Sequence, residues 1–405
     1  MKLVLNMPDH HLLIDNLTSV WWIVLMAALA PIFALISRKY VPDVVWLLAF
    51  GVIIGPNMLG LAEQTEAVAF LRELGMGFLF LLAGFEVSTS DMRARQGKHA
   101  ALTWIICAVL GVGAGLLLTD FDIRVAIVLA IASTSTALGT LLPILKDSGG
   151  MDTPLGRAAM THGAYGELLP IVAMSLLLSA FAPWQASLVL IFFAMIAVFV
   201  VGIPIRFIRR VPLLGKAVVS ASNTTMQTTL RMTVFALVTL MLVTAIFELD
   251  IALGAFSAGL LLNVVFQTFD PEHGEEIAHK VEIVGFSFLI PIFFVTSGMA
   301  INLGQVLGEW QLLLGFVALI AIVRGLVVFL RERWSNTYSG IESSREQIAL
   351  GLYSATGLPI IVAVTQVAAS SEIIDQVTAA TMVTGGAVTV LIFPLIAKLI
   401  LTKSS

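Results

Sequence analysis

A carboxylate stands where an apolar run should have none. Glu167 lies in Arg157-Ala-Ala-Met-Thr161-His162-Gly163-Ala-Tyr165-Gly166-Glu167-Leu-Leu-Pro170, ten residues past the last basic residue. On a helix rising 1.5 Å per residue this is ~15 Å deep, near the middle of a hydrocarbon core. A carboxylate there must be protonated, paired or wetted. A group that titrates near neutral pH can carry either a proton or a cation, which is the chemistry of exchange. Arg324 is the one basic residue well inside an apolar run. Its guanidinium keeps its charge, so it needs a partner, and Glu167 and Glu86 are the candidates. His162, five residues before Glu167, faces about 140° away from it on an ideal helix. It is a candidate proton relay, set against the commoner role of a histidine hydrogen-bonded between helices.

Two further segments would complete such a site. Ser133-Thr134-Ser135-Thr136 precedes Ala137-Leu138-Gly139-Thr140 and Pro143 in one run, and Tyr353-Ser354-Ala355-Thr356-Gly357-Leu358-Pro359 lies in another. Hydroxyls at membrane depth compete for backbone hydrogen bonds, and proline removes a donor and clashes one turn back. Both runs are therefore expected to break, and half-helix ends offer partial charges and free carbonyls to an ion. Ser133, Thr134, Ser135, Thr136 and Thr356 join Glu167 as candidate ion- and proton-binding residues. The plainer alternative is that small and hydroxyl residues only let helices pack closely.

The elements that must position these residues follow from composition. Of 405 residues 59% are apolar and 12% charged, and mean hydropathy is +1.00. A soluble domain carries about a quarter charged residues. Apolar runs predict thirteen membrane spans, at 18–36, 41–60, 67–87, 99–118, 124–145, 156–180, 184–206, 226–247, 251–268, 283–301, 310–330, 346–369 and 376–400. The fold class is an all-α polytopic membrane protein. Taking the N-terminus outside puts eighteen of the 22 Lys and Arg on the cytoplasmic side, as the positive-inside rule requires. The C-terminus is then cytoplasmic. Residues 1–16, with Asp9, His10, His11 and Asp15, do not form a cleavable leader, so the first span is expected to stay. The acidic stretch 270–276 is expected to be a solvated connection. Cys107 is the single cysteine, so neither a disulfide framework nor a thiolate metal site is expected. FLFLLAGFEV (78–87) resembles IFFVTSGMAI (292–301). Two inverted six-helix repeats, spans 1–6 and 8–13 around a linker at 184–206, would place them at matching positions.

With Gly51-Val-Ile-Ile-Gly-Pro56, Glu73-Leu-Gly, Leu82-Ala-Gly-Phe-Glu86, Ser133-Thr-Ser-Thr-Ala137, Asp152-Thr-Pro-Leu-Gly-Arg157, Gly254-Ala-Phe-Ser-Ala-Gly-Leu-Leu-Leu262 and Phe293-Phe-Val-Thr-Ser-Gly-Met299 in this order, the chain resembles the monovalent cation:proton antiporters. The branch is that of the bacterial glutathione-gated potassium-efflux antiporters and related sodium/proton exchangers. The resemblance implies a homodimer with an interface bundle (18–87 and 226–301) and a mobile core (99–180 and 310–400). It also implies crossed, discontinuous fifth and twelfth spans, an elevator-like movement, and Glu167 as the ion-binding carboxylate. Relatives usually carry Asp here, preceded by Asp, Asn or Gln, whereas Glu167 follows Gly166. The potassium-efflux relatives carry a C-terminal nucleotide-binding domain, and none is expected on a chain ending at Ser405.

The expected function is exchange of Na⁺ or K⁺ for H⁺ across the cell membrane. Glu167 is the one midplane acid, so the exchange is expected to be electroneutral. The alternatives are a proton-coupled organic-solute transporter, with Gly166 opening room beside Glu167, and a passive cation channel, which would show a filter of carbonyls or charges. No nucleophile–base set, metal-ligand cluster or phosphate-binding loop points to an enzyme. No cofactor, metal or nucleic acid is expected.

Overall fold

A computed structural model describes residues 7–37, 41–86, 92, 94–138, 141, 145, 150–177, 227–247, 249–269 and 271–402. These residues contain helices and no strand. The first half holds α1 (Met7–Ile36), α2 (Asp43–Ile54), α3 (Glu66–Glu86), α4 (Arg95–Leu118), α5 (Ile123–Thr134) and α6 (Pro154–Leu177). The second opens with α7 (Gln227–Ile246) and α8 (Ile251–Phe269). Next, α9 (Pro271–Val284) runs into α10 (Ile290–Met299) through a π-helical segment, Gly285–Leu289. After the short α11 (Leu303–Gly308), α12 (Trp310–Ile320) continues through a second π segment, Ala321–Leu326, into α13 (Val327–Trp334). The chain then forms α14 (Ser344–Ser354), α15 (Pro359–Ser370) and α16 (Gln376–Thr402).

Every expected span outside 184–206 has its helix; that linker and Pro143 lie outside the described residues. Seven helices among the described residues are long and apolar enough to cross a membrane, and Leu17, Trp21, Val109 and Leu117 present apolar surface outward. Three boundaries differ from expectation. The first helix begins earlier, at Met7. The second span closes at Ile54, because Gly55 precedes Pro56 and is held extended, at φ −66° and ψ 169°, as a residue before proline prefers. The acidic connection is helical from Pro271; proline suits a first helical turn, where its missing N–H has no partner to lose.

Of the helix crossings that bring backbone against backbone, two share one pattern. A Cβ on Gly51 of α2 would meet the Val295 carbonyl, and one on Gly298 of α10 the Leu48 carbonyl. In α3 and α8, a Cβ on Gly259 would meet the Leu81 carbonyl, and one on Gly84 the Phe256 carbonyl. The spacing is the same in both crossings, and Gly84 and Gly298 hold the seventh place in the two similar decamers.

Candidate functional site

The two expected breaks are present and face each other. α5 stops at Thr134, and the chain is helical again at Leu138. Ser133 and Thr134 donate their hydroxyls to the Ala130 carbonyl at 3.3 and 2.7 Å, and Ser135 donates to that of Ala132 at 2.9 Å. Such back-bonding takes acceptors from the helix ladder. In the other run α14 stops at Ser354, and Pro359 starts α15 with its predecessor Leu358 forced to φ −145° and ψ −53°. The breaks are tied across by the Ala137 N–H on the Thr356 carbonyl (2.7 Å) and the Thr136 hydroxyl on the Ser354 carbonyl (2.6 Å). α6 joins through the Thr136 N–H, which donates to the Gly166 carbonyl at 2.9 Å. Thr356 turns its hydroxyl back to the Leu352 carbonyl at 3.0 Å.

Glu167 is buried, and its Oε1 accepts the Leu138 N–H at 2.8 Å. The carboxylate therefore caps the half-helix that restarts after the break, where free N–H groups and the positive dipole end favour an anion.

Arg324 is fully buried inside the Ala321–Leu326 π segment. Its Nη2 donates to the His162 carbonyl at 2.9 Å and to Thr136 Oγ1 at 3.2 Å. Its Nε donates to the Ser354 carbonyl at 3.3 Å, and Nη1 lies 4.0 Å from Cys107 Sγ. The partner expected from sequence was a carboxylate, and this is corrected: neither Glu167 nor Glu86 is among its bonding partners. The reason lies in the broken helix. Ser354 ends α14, so its carbonyl has lost its helical donor and sits at a negative dipole end, a ready acceptor for a cation. Burying an arginine at mid-membrane costs about 3 kcal/mol or more. Hydrogen bonds from a charged donor contribute roughly 1.5–3 kcal/mol each, so three of them offset the cost without a counter-charge. Glu86 ends α3.

Gly166 is what admits the guanidinium. A Cβ there would lie 2.6 Å from Thr136 Cβ and 2.9 Å from Arg324 Nη2. The space expected to stand open beside Glu167 is thus filled, which corrects the reading that Gly166 makes room for a larger solute.

His162 is buried with its ring turned to Glu332 of α13, Nε2 standing 3.8 Å from Oε1. Glu332 Oε2 accepts the hydroxyls of Thr337 (2.7 Å) and Ser339 (2.6 Å). Sequence reasoning passed over Glu332, because an acid between Arg331 and Arg333 at a span's end reads as a solvated face. Its only signal is the pair of hydroxyls five and seven residues on. Tyr165 donates its hydroxyl to the Met92 carbonyl at 3.0 Å.

The chain has relatives. The chain is similar to the "Putative Na(+)/H(+) antiporter YjbQ" of Bacillus subtilis, 25% identical over 298 residues, covering 69% of this chain and 47% of that protein. It thus spans about half the length of that relative. It is also 25% identical over 295 residues to the "Probable Na(+)/H(+) antiporter GerT" of Bacillus cereus, covering 71% and 74% of the two chains. Among solved structures, the sodium proton antiporter MjNhaP1 from Methanocaldococcus jannaschii at pH 8 shares the fold at a TM-score of 0.64 and 17% identity, with 95% and 96% of the chains covered. The family model described as "Sodium/hydrogen exchanger, transmembrane" matches residues 24–403. By that match, which takes in both breaks, Glu167 and Arg324, the chain belongs to the transmembrane sodium/hydrogen exchanger family.

Proposed function

We propose that this protein exchanges a monovalent cation, Na⁺ or K⁺, for H⁺, with Glu167 carrying either one. The supporting observation is a buried carboxylate seated on a half-helix N-terminus at the crossing of two broken helices. A cation docking at Glu167 would displace the proton and find hydroxyls and freed carbonyls at hand. Arg324 cannot release a proton at accessible pH. One titrating group then carries one proton or one cation, and the loaded site has the same net charge in both cases. Exchange is one for one and electroneutral.

Family membership and fold support alternating access by an elevator-like movement of the 99–180 and 310–400 bundle against the 18–87 and 226–301 bundle. The working form is a homodimer in the cell membrane, N-terminus outside and C-terminus cytoplasmic. His162, facing Glu332, is the candidate proton relay toward the cytoplasm. The test is a pH-gradient dequenching assay in proteoliposomes with Na⁺, Li⁺, K⁺ and choline added in turn. Na⁺ or K⁺ should dissipate the gradient and choline should not; failure of every cation sinks the proposal. Under a valinomycin-clamped potential the cation-dependent proton flux should stay constant. A two-proton cycle would instead respond to about 2.3 kcal/mol per 100 mV.

A further inference from the structure

A polar cleft of about 250 Å³, which Glu167 does not line, lies between α3 and α10 on one side and α15 and α16 on the other. Gln64, Arg72, Ser297, Thr365, Gln366 and Gln376 line it. Polar groups gathered around a cavity at a helix–helix seam mark a wetted path in a membrane protein. The two walls belong to the two bundles that the elevator reading sets in relative motion.

One side-chain bond spans this seam. Gln366 Nε2 of α15 donates to Glu73 Oε1 of α3 at 3.1 Å. The same oxygen accepts Arg72 Nη2 at 2.7 Å and Nε at 3.3 Å. Gln366 is eight residues past Leu358 on a helix unbroken from Pro359, so α15 is a stiff rod of ~12 Å from the crossing to this contact. A shift at the crossing therefore reaches Gln366 undiminished. Asp250, just before α8, feels the Glu73 charge.

We propose that the Glu73–Gln366 bond is a latch that closes this cleft and that it must break and re-form in each transport cycle. Glu73 is then a positioning residue, held in place by Arg72, and Gln366 is the moving half. The inference rests on the antiport reading, yet it has a readout independent of transport. Thr365 lines the cleft one residue from Gln366, and the native Cys107 is buried. In detergent-solubilised protein carrying Thr365→Cys, labelling by a charged maleimide should accelerate five- to tenfold on adding Glu73→Ala or Gln366→Ala. Equal labelling rates in all three proteins overturn the latch.

A second arm uses proteoliposomes of the Glu73→Cys/Gln366→Cys double variant and a short reducible bis-methanethiosulfonate. Cross-linking, scored by mass spectrometry, should cut exchange at least tenfold, and dithiothreitol should restore it. Full exchange through a formed cross-link overturns the proposal. Absence of exchange in wild-type vesicles is instead a failure of the antiport reading, and it leaves the labelling arm to decide on the latch.

Discussion

The two glycine crossings, α2 with α10 and α3 with α8, and the crossing of the broken spans are built on opposite terms. In the first, glycine lets carbonyl and Cα approach with no polar group exchanged, so contact is made by van der Waals packing of backbone, the usual seam between membrane helices. In the second, the helices have given up part of their own ladders, and the freed donors and acceptors bind across the gap or hold Glu167 and Arg324. A packed backbone seam has one good arrangement and resists change. A seam of hydrogen bonds can exchange partners one at a time. The difference separates a frame from a site, and variants can test it from both sides.

The largest effect is expected at Glu167. Glu167→Gln keeps shape and removes the titrating group, so exchange should fall to background while melting and oligomeric state stay close to wild type. Near-normal exchange in dequenching assays would remove Glu167 from its role. Glu167→Asp should retain partial exchange. Next comes a matched pair of alanines. Gly51→Ala drives a methyl into the backbone of Val295 and should abolish recovery of folded protein. Gly166→Ala meets Thr136, whose Cβ cannot move without its backbone, and the Arg324 guanidinium, which can, so less folded protein should be lost than with Gly51→Ala while exchange falls tenfold or more. Size-exclusion profiles and flux decide, and the reverse outcome would erase the contrast between frame and site.

Arg324→Ala strips a donor from two carbonyls and a hydroxyl at once. It should cost about 3–5 kcal/mol, read as a large drop in Tm. Arg324→Lys should recover part of it, since a compact ammonium reaches fewer of these acceptors. The smallest effect belongs to Asp250, outside the spans. Burial pushes its carboxyl from an ordinary 3.8 up to about 6; the Ala252 N–H opposes this and the Glu73 charge adds to it. The folded state then holds a proton that the unfolded state has released, so stability is highest below about 4 and declines as pH rises to about 6. Asp250→Asn should flatten that decline, worth at most about 3 kcal/mol, in melting curves taken from pH 4.5 to 7.5.

The frame and the breaks were legible in the sequence because their causes are local. Apolar runs set the spans, hydroxyl clusters and a Gly-Leu-Pro set the interruptions, and an acid at midplane depth stands out in a chain so poor in charge. The acceptors of Arg324 were not legible. Carbonyls freed by a helix break belong to the backbone, and no residue type announces them, so an arginine among apolar residues suggests a carboxylate. Glu332 was hidden by its two arginine neighbours, and the docking of Thr337 and Ser339 on it depends on a loop whose path composition does not encode. Gly166 stands out in the sequence as a departure, but composition does not say that Thr136 and Arg324, rather than open space, fill the place of its missing side chain.

The π segment at Ala321–Leu326 has a consequence for length rather than for bonding. Such a segment is a helix carrying one residue more than its two flanks need. Removing a single residue there, such as the outward-facing Ile322, would restore a regular α-helix. Because the segment absorbs its extra residue, α12 and α13 would keep nearly the same phase, and only the turn that carries Arg324 would be rewound. Arg324 and Glu332 both address His162, one at its carbonyl and the other at its ring, and only Arg324, inside the rewound turn, would lose its aim. The extra residue works as a local rewinding that aims one side chain at the broken helices while the rod beyond it runs on in nearly unaltered register.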